Sequence, residues 1–251
     1  MDSEIFGLKD KLCLVTGASS GLGRETCKLL DSLGARVVAI ARREDRLKSL
    51  EAECKNLSYR IQDLSSQDGL KPLIDSIVKQ EGKINGLAHF AGMGRLTPLR
   101  GENLDAVRNL FDLHVFSAYE LVRLLCDKRV SNALSVVLIS SISSIRGYPG
   151  LSAYSAAKGA INSLSNSLDS ELKRYGGRVN AILPGDIETE ISSRELKSVD
   201  YEREYANYPL GRGTPRDIAG LASFLLSPLS AGISRAHIVV DGGVSIAPCK
   251  P

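Results

Sequence analysis

The chain has 251 residues, 43% of them hydrophobic, and a formal net charge of +3. That length and apolar content suit one large buried α/β core. Lys and Arg are scattered, Trp is absent and aromatics make up 5%, which speaks against a nucleic-acid face or a platform for stacking bases.

In chain order, strands and helices alternate. LCLVT (12–16) is an apolar run of strand length, followed by a glycine turn and a helix over about 21–33. ARVVAIA (35–41) is a second strand, with a charged helix over about 43–54. SYRIQ (58–62), a helix over about 66–80 and INGLAHF (84–90) follow. A long helix is expected over about 101–127. SVVLIS (135–140), a helix over about 152–174 and RVNAIL (178–183) come next. Helices are expected within about 189–206 and 214–226, and HIVVD (237–241) is the seventh strand. The strands are continuous apolar runs, as in sheets covered on both faces. Short loops and strict alternation imply right-handed crossovers in one parallel sheet. The expected fold class is α/β: a single doubly wound, Rossmann-like domain over 1–251 with a seven-stranded parallel sheet.

Strand one ends in Thr16-Gly17-Ala18-Ser19-Ser20-Gly21-Leu22-Gly23. A glycine turn between the first strand and first helix is where such folds bind dinucleotide phosphates, on backbone N–H groups at the helix start. The spacing is GxxxGxG, so Gly17, Ser19, Ser20, Gly21, Leu22 and Gly23 are cofactor-binding candidates. An acidic residue closing strand two would bind the ribose 2′-hydroxyl and favour NAD(H). Arg42 and Arg43 stand there instead. Their planar donor forks suit a phosphate, so NADP(H) is favoured over NAD(H). The competing reading is two arginines that merely begin a solvated helix.

Tyr154 and Lys158 are four apart on the helix over 152–174, and so share a face. A tyrosine titrates near ~10. A neighbouring ammonium lowers that value and turns the phenol into a proton donor and acceptor for a carbonyl or alcohol oxygen. Ser141 closes strand five, at the edge of a parallel sheet where ligands sit. Its hydroxyl can bond the same oxygen.

The long helix holds a histidine. Val107, Phe111, Ala118, Leu121 and Leu125 mark one apolar stripe, and His114 falls inside it. A satisfied core histidine is the simplest account.

In this order and spacing, the chain resembles the short-chain dehydrogenase/reductase family, of the type that includes 3-oxoacyl-carrier-protein reductases, over nearly its whole length. TGASSGLG (16–23) matches the family's TGxxxGxG. Asp63-Leu64 matches its adenine-binding position, and Ala91-Gly92 matches the end of its NNAG motif. Ser141, Tyr154 and Lys158 match its catalytic residues. Pro184-Gly185-Asp186-Ile187-Glu188-Thr189 matches its PG-x-I-x-T segment, and Asp241-Gly242-Gly243 its closing DGG. The resemblance implies that Tyr154 is the general acid/base and that Ser141 orients the carbonyl. Lys158 would lower the tyrosine pKa and hold the nicotinamide ribose. Pro184, Gly185, Ile187 and Thr189 would flank the nicotinamide, and Arg42 would contact a 2′-phosphate. It also implies a small carbonyl or alcohol substrate under a covering segment at about 189–210, and a homo-oligomer, tetramer or dimer.

Two departures stand out. The NNAG motif reads His89-Phe90-Ala91-Gly92. His114 occupies the place of the family's relay asparagine. A neutral imidazole both donates and accepts hydrogen bonds, so His114 is a catalytic relay candidate, and a pKa near ~6.5 would add a pH dependence. A non-catalytic, regulatory NADP-binding protein on the same fold is the alternative, supported only by these departures. The intact tyrosine, lysine and serine argue against it.

The five cysteines, Cys13, Cys27, Cys54, Cys126 and Cys249, form no CxxC pair, so neither a disulfide framework nor a metal site is expected. The N-terminal stretch lacks a signal-peptide core, and no apolar run approaches the roughly 18 residues of a membrane span. The expectation is a cytoplasmic protein without a membrane or nucleic-acid partner.

Overall fold

The computed structural model describes residues 4–190 and 208–245. Seven parallel strands form one sheet in the order β3-β2-β1-β4-β5-β6-β7. They are β1 (Leu12–Thr16), β2 (Arg36–Ala41), β3 (Leu57–Ile61), β4 (Ile84–His89), β5 (Ser131–Ile139), β6 (Arg178–Pro184) and β7 (His237–Val240). The helices between them are α1 (Gly21–Ser32), α2 (Glu44–Glu53), α3 (Leu70–Glu81), α4 (Leu104–Phe111), α5 (Ser117–Leu125), α6 (Ser152–Leu172) and α7 (Pro215–Leu226). The doubly wound, Rossmann-like α/β reading is therefore correct.

Alternate strand residues feed two cores. Cys13, Val15, Val37 and Ala39 pack with Leu30 of α1, Leu47 of α2 and Ile218 of α7. Leu12, Leu14, Val38 and Ile40 pack with Ile74 of α3, Leu121 of α5 and Ile161 of α6. Both faces are covered, which is why the strands carry no polar alternation. The strand order reverses between β1 and β4, and their carboxyl ends open a crevice there. Thr16 and His89 are paired across it.

Some boundaries differ from the expectation. The long helix starts at Leu104, because the Asn103 side chain accepts the Asp105 and Ala106 N–H groups and caps it there. It is also interrupted. A π-turn spans Asp112–Phe116, with the Ser117 N–H bonded to the Asp112 carbonyl five residues back. The wider turn changes which face is buried on its amino-terminal side. Leu110 and Leu113 are buried, whereas Val107 and Phe111 are only half-buried. α3 starts four residues late, because the Asp63 carboxylate takes the Ser65 N–H and hydroxyl and holds the chain in a turn. β5 starts early, at Ser131, through a register shift against β4. The helix expected within 189–206 lies almost wholly outside the described residues.

Candidate functional site

The glycine turn is built for close approach. Gly17 has φ +65°, and a Cβ there would stand 2.7 Å from the Phe90 carbonyl oxygen. Only glycine lets the turn pass so near the end of β4. α1 then begins with no acidic residue in its first turn, so its amino end stays electropositive. Arg43, just before α2, reaches back to this turn. Its guanidinium donates to Ser19 Oγ at 3.1 and 2.9 Å and to Ser20 Oγ at 2.7 Å. The Glu190 carboxylate lies 3.7 Å from Arg43 and 2.5 Å from Arg46. Arg42 diverges from its neighbour: it is exposed and lies 3.6 Å from Asp63. A guanidinium, two hydroxyls and a helix start thus converge at Arg43, an arrangement that fits the phosphates of a dinucleotide.

Lys158 and Tyr154 lie one turn apart on α6. Lys158 is 2% exposed. Its Nζ donates to the Ile139 carbonyl at 2.9 Å and sits 5.5 Å from the centre of the Tyr154 ring. Burial pushes the Lys158 amine down to about 7. Ser141 follows β5, and its Oγ accepts the Ser143 N–H at 3.1 Å. Ser140 anchors the same join, donating to the Lys158 carbonyl at 2.9 Å.

His114 lies in the π-turn, 2% exposed. Its ring meets Tyr154 edge-on, with centroids 5.8 Å apart. It also lies against Gly92, where a Cβ would come within 2.5 Å of its Cε1. Nε2 is 3.0 Å from both the N–H and the carbonyl oxygen of Met93. Nδ1 is buried and has no partner among the described residues. Burial first, and the Lys158 charge second, hold the ring well below its ordinary pKa. A ring held in that direction is neutral at physiological pH and would bring no titration near ~6.5. Among the described residues, protein groups satisfy only one of its two ring nitrogens.

All the sequence-derived candidates line one open cavity of about 570 Å³: Gly17 and Ser19 to Gly23, Arg42, Arg43, Asp63, Leu64, Ala91, Gly92, His114, Ser141, Tyr154, Lys158, Pro184, Gly185, Ile187 and Thr189. Met93, Arg95, Leu113 and Leu151 also line it, and sequence reading missed them. They belong to no motif. The available signal was positional: the chain leaving the carboxyl end of β4 must border the crevice. Arg95 is engaged by Glu102 at 2.8 Å.

The low Lys158 pKa makes stability depend on pH. In the unfolded chain the amine sits near 10.5 and stays protonated above pH 7, whereas the folded amine near 7 has released its proton. The unfolded state binds more protons in that window, so stability rises with pH. Relative to Lys158→Met, the ligand-free protein should gain about 1 kcal/mol per pH unit between about pH 7 and 9. Denaturant unfolding of both proteins checks this, and parallel curves would contradict it.

The family model described as enoyl-(acyl carrier protein) reductase matches residues 17–245. The chain is 32% identical to 3-oxoacyl-[acyl-carrier-protein] reductase FabG of Thermotoga maritima, over 95% of this chain and 99% of the relative. It is 30% identical to carbonyl reductase [NADPH] 2 of Sus scrofa, over 97% and 98%. The solved short-chain dehydrogenase/reductase SDR:glucose/ribitol dehydrogenase of Brucella melitensis superposes with a TM-score of 0.90, at 26% identity over 95% and 98%. With an open crevice at the carboxyl ends of β1 and β4, a seven-stranded parallel sheet and these relatives, the chain belongs to the short-chain dehydrogenase/reductase family, oxidoreductases of carbonyl and CH–OH groups that bind NAD(P)(H).

Proposed function

We propose that this chain is an NADP(H)-dependent reductase that converts a carbonyl to an alcohol, reversibly. The observation that carries the reading is the buried Lys158 amine beside the Tyr154 ring at the cavity wall. The glycine turn would hold the pyrophosphate; Arg43, which turns toward it where Arg42 does not, the 2′-phosphate; Pro184 to Thr189 the nicotinamide end; and Lys158 its ribose. When bound there, a reduced nicotinamide would supply the hydride to the carbonyl carbon. Tyr154 gives its hydroxyl proton to the carbonyl oxygen as negative charge develops there. Lys158 stabilises the phenolate that is left. Ser141 Oγ already accepts the Ser143 N–H, which leaves its own proton for the substrate oxygen.

His114 completes the path by which Tyr154 regains a proton. Met93 presents a donor and an acceptor to Nε2 at the same 3.0 Å distance. The ring can therefore hold either tautomer without moving, and Nδ1 can be donor or acceptor in turn. A buried polar atom without a protein partner, beside a cavity, is where an ordered water binds. That water and Lys158 would link Tyr154 to solvent.

NADP(H) is favoured over NAD(H) by the guanidinium and two hydroxyls gathered at Arg43, and by likeness to a relative named for NADPH. The substrate is a small carbonyl or alcohol compound. Exposed Ala156, Ser163 and Ser167 on α6, with Phe116 and Tyr119 on the neighbouring helix, would pair two copies of the chain. Sedimentation should therefore give a dimer or tetramer, and a monomer at micromolar concentration would remove this part of the reading.

Tyr154→Phe should abolish carbonyl-dependent NADPH oxidation while NADPH binding, read by fluorescence, stays nearly unchanged. Undiminished turnover would overturn the assignment. His114→Asn should keep most of the activity and His114→Ala should lose most of it. A kinetic limb near ~6.5 that vanishes in His114→Asn would contradict the neutral ring. Arg43→Ala should raise KM for NADPH about 10- to 100-fold, the loss of a charged hydrogen-bond set, with little change for NADH. Equal changes for both cofactors would refute the 2′-phosphate role.

A further inference from the structure

His89 carries no role in the reaction as read above, yet it is a buried imidazole one strand away from it. It ends β4 and is 2% exposed. Nδ1 lies 3.0 Å from Thr16 Oγ1, and Nε2 lies 3.2 Å from Ser117 Oγ. The neighbours decide the direction of both bonds. Ser117 spends its one hydroxyl proton on the Leu113 carbonyl, at 2.5 Å. Its oxygen can then only accept from His89, so Nε2 carries the ring proton. Nδ1 must accept from the Thr16 hydroxyl. The Thr16 oxygen in turn accepts the Phe90 and Ala91 N–H groups, at 3.1 and 3.0 Å. Every proton from Thr16 through His89 and Ser117 to Leu113 is thereby assigned.

The two ends of this chain are the two supports of His114. One end is the π-turn. There the Ser117 N–H bonds Asp112 rather than Leu113, and the Leu113 carbonyl is held by the Ser117 hydroxyl instead. The other end is the segment leaving β4, whose Met93 binds His114 Nε2 and whose Gly92 the ring touches. The titratable groups facing the two imidazoles are Lys158 and Tyr154 of α6 and, for His114, His89 itself. Burial drives His89 down to about 3, so it is neutral as well.

We propose that His89 is a positioning residue, which with Thr16 and Ser117 fastens the π-turn to the exits of β1 and β4 and so sets His114 beside Tyr154. The inference rests on the relay reading of His114. It contrasts the two rings: His114 can exchange tautomers, whereas His89 is fixed in one.

Nitrogen-15 NMR of the imidazoles in the intact protein tests this without using activity. His89 should show a single Nε2–H tautomer, unchanged between about pH 5 and 8. An Nδ1–H tautomer, or titration in that range, would overturn the proposal. Kinetics supply the second arm. An amide at position 89 replaces one ring nitrogen according to its reach: glutamine extends to the Nε2 site and asparagine only to the Nδ1 site. His89→Gln should keep the Ser117 bond and retain kcat. His89→Asn and Ser117→Ala should each lower kcat about 3- to 30-fold, the range of a coupled contact, with KM changed less than about 2-fold. In a His114→Ala background the residual kcat should change less than about 2-fold on adding Ser117→Ala. Equal losses in both backgrounds, or no loss in either, would mean that His89 does not act through His114. Ser117→Ala removes a single oxygen and keeps the arm interpretable should His89→Asn fold poorly. A failure of the catalytic assignment itself would show instead as turnover surviving Tyr154→Phe, with the NMR result unaffected.

Discussion

The Nζ of Lys158 donates to the carbonyl of Ile139, the last residue of β5. The Ser140 hydroxyl, one residue on, donates to the backbone carbonyl of Lys158. The pair of bonds fastens α6 to the sheet at the edge where the crevice opens. It also sets the chemistry of the site, because the amine is brought into a buried place on a neutral carbonyl. An ion pair with a carboxylate would have held the charge firmly and raised the amine pKa. A carbonyl partner leaves desolvation as the dominant influence, and the amine falls to about 7. Such a lysine is poised to change its charge when a neighbour develops or loses charge, which Tyr154 does in the proposed reaction.

That lysine governs its surroundings in turn. A charge at Nζ disfavours protonation of His89 and His114 and adds to the effect of their own burial. Both rings are therefore neutral, and each offers one donor and one acceptor. What distinguishes them is the company they keep. Side-chain hydroxyls with committed protons fix His89, whereas the main chain of Met93 offers His114 both polarities at once. A fixed ring suits bracing, and a ring with two equivalent states suits passing a proton.

Much of this was legible in the sequence, for physical reasons. Buried parallel strands must be apolar throughout, so LCLVT gave β1 to the residue. The turn after β1 needs glycine where the chain passes β4, which makes Gly17 visible. The spacing of Tyr154 and Lys158 is a helical repeat, and the structure keeps it. The π-turn was not legible. It adds one residue to a helical turn without any glycine or proline to mark it, and periodicity alone placed Phe111 where Leu110 belongs. Nor could spacing separate Arg42 from Arg43. Which of two adjacent side chains turns toward the glycine turn depends on where α2 begins, and α2 begins directly after Arg43.

The cofactor end adds a constraint of its own. Glu190 follows directly on the PG-x-I-x-T segment, Thr189 lies against Gly21, and the Glu190 carboxylate rests on Arg43 and Arg46. An anion therefore already sits on Arg43, the cation proposed to receive a phosphate. All three side chains are more than a third exposed or nearly so, so water and salt screen the contact and a single carboxylate contributes little. A phosphate group brings more acceptor oxygens and a larger charge to the same guanidinium. Displacement of Glu190 by such a group is downhill on that count. Glu190 stands at the start of the segment that the family resemblance expects to cover the substrate, so what occupies Arg43 would also bear on where that segment starts.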